Sequence, residues 1–253
     1  MKLSKSIAPK LKKIIKHESR RQNKQIQLIA SENFASSDVK ELCGSIFTNK
    51  YAEGRPNSRY YNGTEYCDKL ELYAESLVCN LFECNYANVQ PHSGSNANLA
   101  VCNAFLEPND RILSLSLKSG GHLSHGHFAN ISGKMYHIKH YDVDENGYID
   151  YEKLDEIAMQ WKPKMIISGA SAYSLQIDWE RIHNIARKFN AIHLADISHY
   201  SGLIAGGIYN NTLQTNSCDI VTSTTHKTLR GPRGALIFFK KELEDKINFS
   251  VFP

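Results

Sequence analysis

Within residues 65–82 the apolar side chains Leu70, Tyr73, Leu77, Val78 and Leu81 recur three or four positions apart, the spacing that puts them on one face of an α-helix. Beyond this helix the period changes. Short apolar runs at 87–90, 111–117, 134–141, 164–169, 191–197, 219–221 and 234–239 predict strands, and the helical spacing returns between them at 151–161 and 179–189. A further helix opens at Pro91-His92-Ser93-Gly94-Ser95 and reaches Phe105, and another begins at Leu243. Ser36, Ser37 and Asp38 offer a cap and an acidic first turn to a helix over 39–48. Strands alternating with helices predict an α/β fold, a central mostly parallel sheet with helices on both faces. In such a sheet ligands collect at the carboxyl ends of the strands.

Composition narrows the class. A length of 253 residues with 42% hydrophobic side chains is ample for one large domain. No apolar run approaches a membrane span, and the first residues lack the apolar core of a secretory signal, so a cytoplasmic location is expected. Six cysteines without a CxxC pair or zinc-ligand spacing predict buried, reduced thiols in a cytosolic protein. The net charge of +4 is uneven: residues 1–24 hold nine Lys and Arg against one acidic residue, leaving a net −4 in the rest. With Ile7, Leu11, Ile14 and Ile15 on one face, residues 1–25 form a basic amphipathic arm that suits packing on a second subunit better than nucleic acid or a targeting role.

The stretch 221–234 carries the strongest chemistry. A buried strand delivers the hydroxyl run 222–225 and then Lys227, beside a Gly-Pro turn. Thr224, Thr225 and His226 can hydrogen-bond an anion or imine, Arg230 and Arg233 add a field expected to lower an amine pKa, and Gly231 and Gly234 allow close backbone approach. A lysine so depressed can form a Schiff base. Asp196 ends another strand where a pyridinium nitrogen would want a carboxylate. Ser93, Gly94 and Ser95 open a helix whose N–H groups can cradle phosphate, while the absence of GxGxxG disfavours a dinucleotide. His122, His125 and His127 invite a metal, yet no HExxH or acidic partner set accompanies them, so no metal is expected. The loop 51–63, dense in tyrosine with Glu53 in its middle, needs something flat to cover or a subunit interface to fill.

The string THKTLRGPRG resembles the pyridoxal-phosphate lysine motif of the serine hydroxymethyltransferase family. The resemblance continues through LIASENF, NKYAEGRPNSRYYNGTEYCD, ANVQPHSGSNAN, GGHLSHG, PKMIISGASAYS and ADISHYSGL, from about Ile26 to the last residue. It implies the large domain of an aspartate-aminotransferase-like pyridoxal 5'-phosphate enzyme over 26–253, transferring a hydroxymethyl group from serine to tetrahydrofolate to give glycine and methylenetetrahydrofolate. By the resemblance Lys227 would hold the cofactor as a Schiff base, Asp196 would keep the ring nitrogen protonated, and Ser93, Gly94 and Ser95 would hold phosphate. His122 would stack on the ring, Ser171 and His199 would face its oxygen side, and Thr224, His226 and Arg233 would order the lysine turn.

Ser31 and Tyr51 would meet substrate, and Leu117, Gly121 and Leu123 match positions that contact folate. Glu53 would act as acid and base at the serine hydroxyl, with Tyr60 and Tyr61 facing folate, all three in the site of a neighbouring subunit, so a homodimer or larger assembly is implied. Arg55, Asn57 and Asn62 stand where Tyr, Gly and Gly are more usual, and Ser198 where a small apolar residue is. The chain's end matches the family just before a glycine-rich loop. A small domain with the substrate-binding arginine would lie beyond, so the chain alone is expected to turn over serine poorly unless a second polypeptide supplies the rest. Three alternatives stay open: another pyridoxal-phosphate lyase such as a threonine aldolase, a non-catalytic fragment that binds only cofactor or partner, and a metal hydrolase built on His122, His125 and His127.

Overall fold

The computed structural model describes residues 8–213 and 217–252. Helix α1 (Pro9–Lys24) starts with proline in its first turn and buries no residue, with Leu11, Ile14 and Ile15 about half exposed; Ile7 lies outside the described residues. Helix α2 (Ser37–Cys43) takes its cap from Ser36, whose hydroxyl accepts from Val39 N at 3.2 Å. It ends earlier than the pattern predicts, because Gly44 breaks it and a 3-10 turn, Ile46–Asn49, follows.

The tyrosine loop contains a small hairpin, β1 (Gly54–Arg55) and β2 (Ser58–Arg59). Asn57 turns it with φ 64°, a left-handed conformation that asparagine tolerates well, which accounts for Asn in a place where Gly is usual. The hairpin is clamped to helix α3 (Glu65–Phe82): Arg59, 3% exposed, pairs with Asp68 and Glu71 at 2.7 Å each, and Arg55 pairs with Glu71 at 2.9 Å and Glu75 at 2.7 Å. The departure at Arg55 thus comes with acidic partners.

The remaining chain builds the sheet. In order come β3 (Ala87–Asn88), α4 (Gly94–Phe105), β4 (Arg111–Leu115), α5 (Ile131–Met135), β5 (His137–Tyr141), α6 (Tyr151–Trp161), β6 (Met165–Gly169), α7 (Trp179–Lys188), β7 (Ile192–Asp196), α8 (Ser201–Ala205), β8 (Ile220–Thr224), β9 (Ala235–Phe239) and α9 (Glu244–Val251). The seven strands lie in the order β3-β9-β8-β7-β6-β4-β5; β9 runs against both neighbours and every other pairing is parallel. Strands β6, β8 and β9 are buried along their whole length, as strands covered by helices on both faces must be. One core packs Leu113, Ile166, Val221 and Phe238 under α3, α6 and α7, and the other packs Ile112, Ile167, Ile220 and Ile237 under α4 and α9. Phe82 closes α3 onto Phe238 with ring centres 4.9 Å apart.

Several expected strands are shorter than their apolar runs, β3 and β7 by two residues each. Residues 134 and 135 belong to α5, which Asn130 caps through Ser132 N at 3.0 Å, so β5 begins at His137. Strand β4 stops at Leu115, because the Ser116 hydroxyl caps a 3-10 turn at Leu117–Ser119. Helix α8, which no clear pattern announces, is held by Thr228, whose hydroxyl accepts from Gly202 N at 2.8 Å. Among the described residues no helix is long and apolar enough to cross a membrane.

Candidate functional site

A cleft of about 360 Å³ opens at the carboxyl ends of β6, β7 and β8, beside the first turn of α4. Its lining brings together Ser31, Ser93, Gly94, Ser95, His122, Ser171, Asp196, His199, Thr224, His226, Lys227 and Arg233, twelve of the residues singled out from the sequence. The elements explain the convergence. Asp196 is the last residue of β7 and pairs in register with Thr222, so parallel β8 carries Thr224 and then the lysine turn to the same edge. Ser171 follows β6 by two residues.

The lysine turn is built by its own backbone. Thr225 N donates to Gly234 O at 3.1 Å, Gly231 N to Thr225 O at 2.7 Å and Arg230 N to Lys227 O at 3.0 Å, while Asn33 Nδ2 also donates to Lys227 O at 3.0 Å. A Cβ on Gly231 would stand 2.8 Å from Thr225 O, so that glycine closes the turn on itself and does not make room for a ligand. Gly94 does serve the cleft wall: a Cβ there would meet Thr224 Cγ2 at 2.8 Å, so only glycine lets the start of α4 lie against the end of β8.

Asp196 is the most heavily bonded group in the cleft. Its Oδ2 accepts from His125 Nε2 and Asn98 Nδ2, both at 2.9 Å, and its Oδ1 accepts from Ser198 N at 3.1 Å. Burial alone would raise its pKa, but the hydrogen bond and field of His125, with those of Ser198 and Asn98, overcome this and hold the carboxyl far below the usual range. Sequence reasoning assigns neither His125 nor Asn98 to the cofactor. Asn98 has one legible signal, a polar side chain on the buried face of α4 among Ala97, Ala100 and Val101. His125 stands out in the sequence only through its closeness to two other histidines, which points to a metal.

Burial lowers the pKa of Lys227, opposed by the charge of Asp196. The expected arginine field is not the cause: Arg230 turns away, its Nε donating to Phe34 O at 3.1 Å, and the field of Arg233 falls on His226, which burial also lowers. His199 is pushed down to about 4 by burial and by Lys227, so it is neutral near pH 7 and can share a hydrogen bond with Ser171 Oγ at 3.2 Å. His122 is likewise lowered by burial, and its Nδ1 accepts from Ser124 N at 3.1 Å, which fixes its ring at the cleft wall.

The three histidines do not converge as ligands. His125 points at Asp196, His127 packs on Phe128 with ring centres 4.3 Å apart, and among the described residues no three His, Cys, Asp or Glu side chains are grouped to hold a metal. Tyr51 and Glu53 lie outside the cleft, in a separate depression with Gln90, His92 and Phe252. Tyr61 sits edge-on to Tyr51 at 6.2 Å and Tyr60 to Phe252 at 6.0 Å. Leu117 and Leu123 are about half exposed beside His122 and Gly121 is buried, none of them lining the cleft.

The donor set suits pyridoxal phosphate. Thr224 Oγ1 and His226 Nδ1 are buried at the cleft without hydrogen-bond partners, Gly94 and Ser95 begin a helix whose first N–H groups lack intrahelical acceptors, and a carboxylate held ionised stands with an amine of lowered pKa. A lysine turn and a bonded aspartate at the ends of adjacent parallel strands, with one reversed strand beyond them, define the aminotransferase-like class of pyridoxal-phosphate-dependent α/β proteins. The family model described as serine hydroxymethyltransferase matches residues 4–253, and the chain belongs to that family.

Relatives named serine hydroxymethyltransferase agree. That of Methylobacillus flagellatus is 49% identical over 247 residues, covering 98% of this chain and 59% of the relative. That of Thiobacillus denitrificans is 52% identical over 245 residues, covering 97% and 59%, and that of Baumannia cicadellinicola 51% identical over 244 residues, covering 95% and 58%. The chain therefore spans about 59% of the length of the curated relatives it matches.

Proposed function

We propose that this chain carries the cofactor-binding large domain of a serine hydroxymethyltransferase, which moves a hydroxymethyl group reversibly between serine and tetrahydrofolate. The observation that carries the reading is the single cleft shared by Lys227, Asp196 and the start of α4. When bound there, pyridoxal phosphate supplies an electron-accepting ring for the electron pair released at the substrate α-carbon. Lys227 would hold its aldehyde carbon, and burial increases the unprotonated fraction of the amine needed for this. Asp196 would keep the ring nitrogen protonated, and the start of α4 at Ser93, Gly94 and Ser95 would receive the phosphate. The neutral His199 with Ser171 would face the ring oxygen, His122 would cover one ring face, and Thr224, His226 and Arg233 would order the lysine turn.

Ser31 would orient the amino-acid substrate. Glu53 lies apart from the cleft, so its proton transfer at the serine hydroxyl is assigned to the cleft of a second subunit, with Tyr51, Tyr60 and Tyr61 beside it. The exposed Ile26, Leu28, Leu42 and Ile46, each 71–90% accessible, support such an association. Leu117, Gly121 and Leu123 would meet the folate.

Borohydride reduction of the cofactor-loaded protein followed by peptide mapping tests the cleft. The cofactor mass is expected on Lys227, and its appearance on Lys164 or nowhere would overturn the reading. Mixing Lys227→Ala and Glu53→Gln chains, in a form spanning the full length of the relatives, tests the shared site; recovered activity is expected, and none from proven heterodimers would refute the assignment of Glu53.

A further inference from the structure

We propose that Cys79 and Cys84 form a reversible dithiol–disulfide site, closed by reaction with a low-molecular-weight disulfide. The site arises from the way α3 ends. Glu83 adopts a left-handed conformation, φ 52° and ψ 47°, and the N–H of Cys84 donates back to the carbonyl of Cys79 at 3.0 Å. This reversal folds the side chain just beyond a helix onto its last turn, where the contact is ordinarily apolar. Here both partners are cysteines, so the turn that binds Cys84 N to Cys79 O also folds one thiol toward the other.

Their surroundings separate this pair from the other thiols. Of the six thiols expected to be buried, Cys102 and Cys218 are, Cys43 is exposed, and Cys67, Cys79 and Cys84 are partly exposed; of these three, Cys79 and Cys84 are brought together by the backbone reversal at the end of α3. Cys84 also borders a surface pocket of about 480 Å³ with Tyr86 and Lys240, which gives a small reagent room to approach. The pair is held in place from within, because Phe82, between the two, is packed on Phe238. Contact with the Cys84 thiol lowers the pKa of Cys79, so the exchange can begin there.

The reaction balances as two exchanges. The Cys79 thiolate attacks one sulfur of the disulfide RSSR, forming a Cys79–SR bond and releasing one RS⁻, which takes up a proton. Cys84 gives its proton to water and attacks the Cys79 sulfur, displacing the second RS⁻. One S–S bond now joins the two cysteines, which are oxidised, and RSSR has been reduced to two RSH. Reversal needs only excess thiol.

Oxidised glutathione on the full chain tests this. After free thiols are blocked in denaturant, cleavage at Glu83 separates the two cysteines. The flanking peptides are expected to remain joined until dithiothreitol is added, at a mass two hydrogens below their unlinked sum, while Cys43 carries a glutathione adduct that reports the reagent's activity. In Cys84→Ser the linkage should vanish and a glutathione adduct should persist on Cys79. Free thiols or separate adducts at Cys79 and Cys84 under conditions that modify Cys43 would overturn the proposal, as would a linkage that survives in Cys84→Ser.

Discussion

His125 Nε2 lies 2.9 Å from Asp196 Oδ2, with side chains only 1% and 9% exposed, and its other ring nitrogen has no hydrogen-bond partner. The proton of that imidazole is therefore directed at the carboxylate, and the pair keeps a buried aspartate ionised where solvent cannot. Asp196→Asn removes the charge and leaves His125 facing an amide. Pyridoxal-phosphate retention is expected to fall by roughly tenfold or more, since each pKa unit of ionisation support is worth about 1.4 kcal/mol. Equilibrium dialysis against the cofactor checks this, with far-ultraviolet circular dichroism confirming the fold. His125→Asn should move the acid limit of retention to higher pH, because it withdraws the largest interaction that lowers the Asp196 pKa.

Gly94→Ala should distort the end of the cleft formed by the start of α4. The new methyl would stand 2.8 Å from Thr224 Cγ2, so either the first turn of α4 or the end of β8 must shift. Weaker binding of pyridoxal phosphate is expected, by about tenfold for a small displacement of oriented donors. Thr224→Ser removes the methyl but keeps the hydroxyl. The double variant Gly94→Ala with Thr224→Ser should recover much of the loss, and fluorescence titration of the cofactor measures it.

Arg59→Leu should destabilise the protein by about 3 kcal/mol and loosen the tyrosine loop, because it strands Asp68 and Glu71 next to a nearly buried position. The exposed pair Lys153 and Glu156 provides the contrast: Lys153→Ala should cost less than about 1 kcal/mol. Urea melts report the stability of both variants. Limited proteolysis within 51–63 should accelerate only in Arg59→Leu.

Stability should decline as the pH falls from about 6.5 toward 3, a decline that begins before most carboxylates titrate. His193 is wholly buried between Ser168 and Ser217, and burial pushes its pKa down to about 3. The unfolded chain takes up this proton near pH 6.5 while the folded chain refuses it, so unfolding becomes more favourable by up to about 1.4 kcal/mol per pH unit for this one group. His193→Gln should flatten the slope between pH 6.5 and 5 even though it lowers stability at pH 7. Urea midpoints across that range decide it.

Much of the candidate site is legible in the order of residues alone. The strand ends deliver Asp196 and Lys227 to one edge because consecutive parallel strands point the same way, and an apolar run followed by a polar turn marks such an end locally. Asn98 and His125 leave a fainter trace. They stand 98 and 71 residues from Asp196 along the chain, and a hydrogen bond across that separation leaves no local pattern.

What the sequence by itself determined was the order and type of the main helices and sheet strands and the residue chemistry they carry: the Ser93 cap, the lysine turn and the helical period of α3 are all short-range signals, set by neighbours within a few positions. Tertiary structure alone decided three other matters. It set the reversed strand β9 beside β3, a pairing of segments far apart in the chain. It put Glu53 and its tyrosines outside the cleft, because Arg55 and Arg59 bind that hairpin to α3. And it made burial, not neighbouring arginines, the cause of the lowered Lys227 pKa, because desolvation depends on which groups the fold packs around an amine, and a string of residues does not specify that until the sheet and its helices have closed.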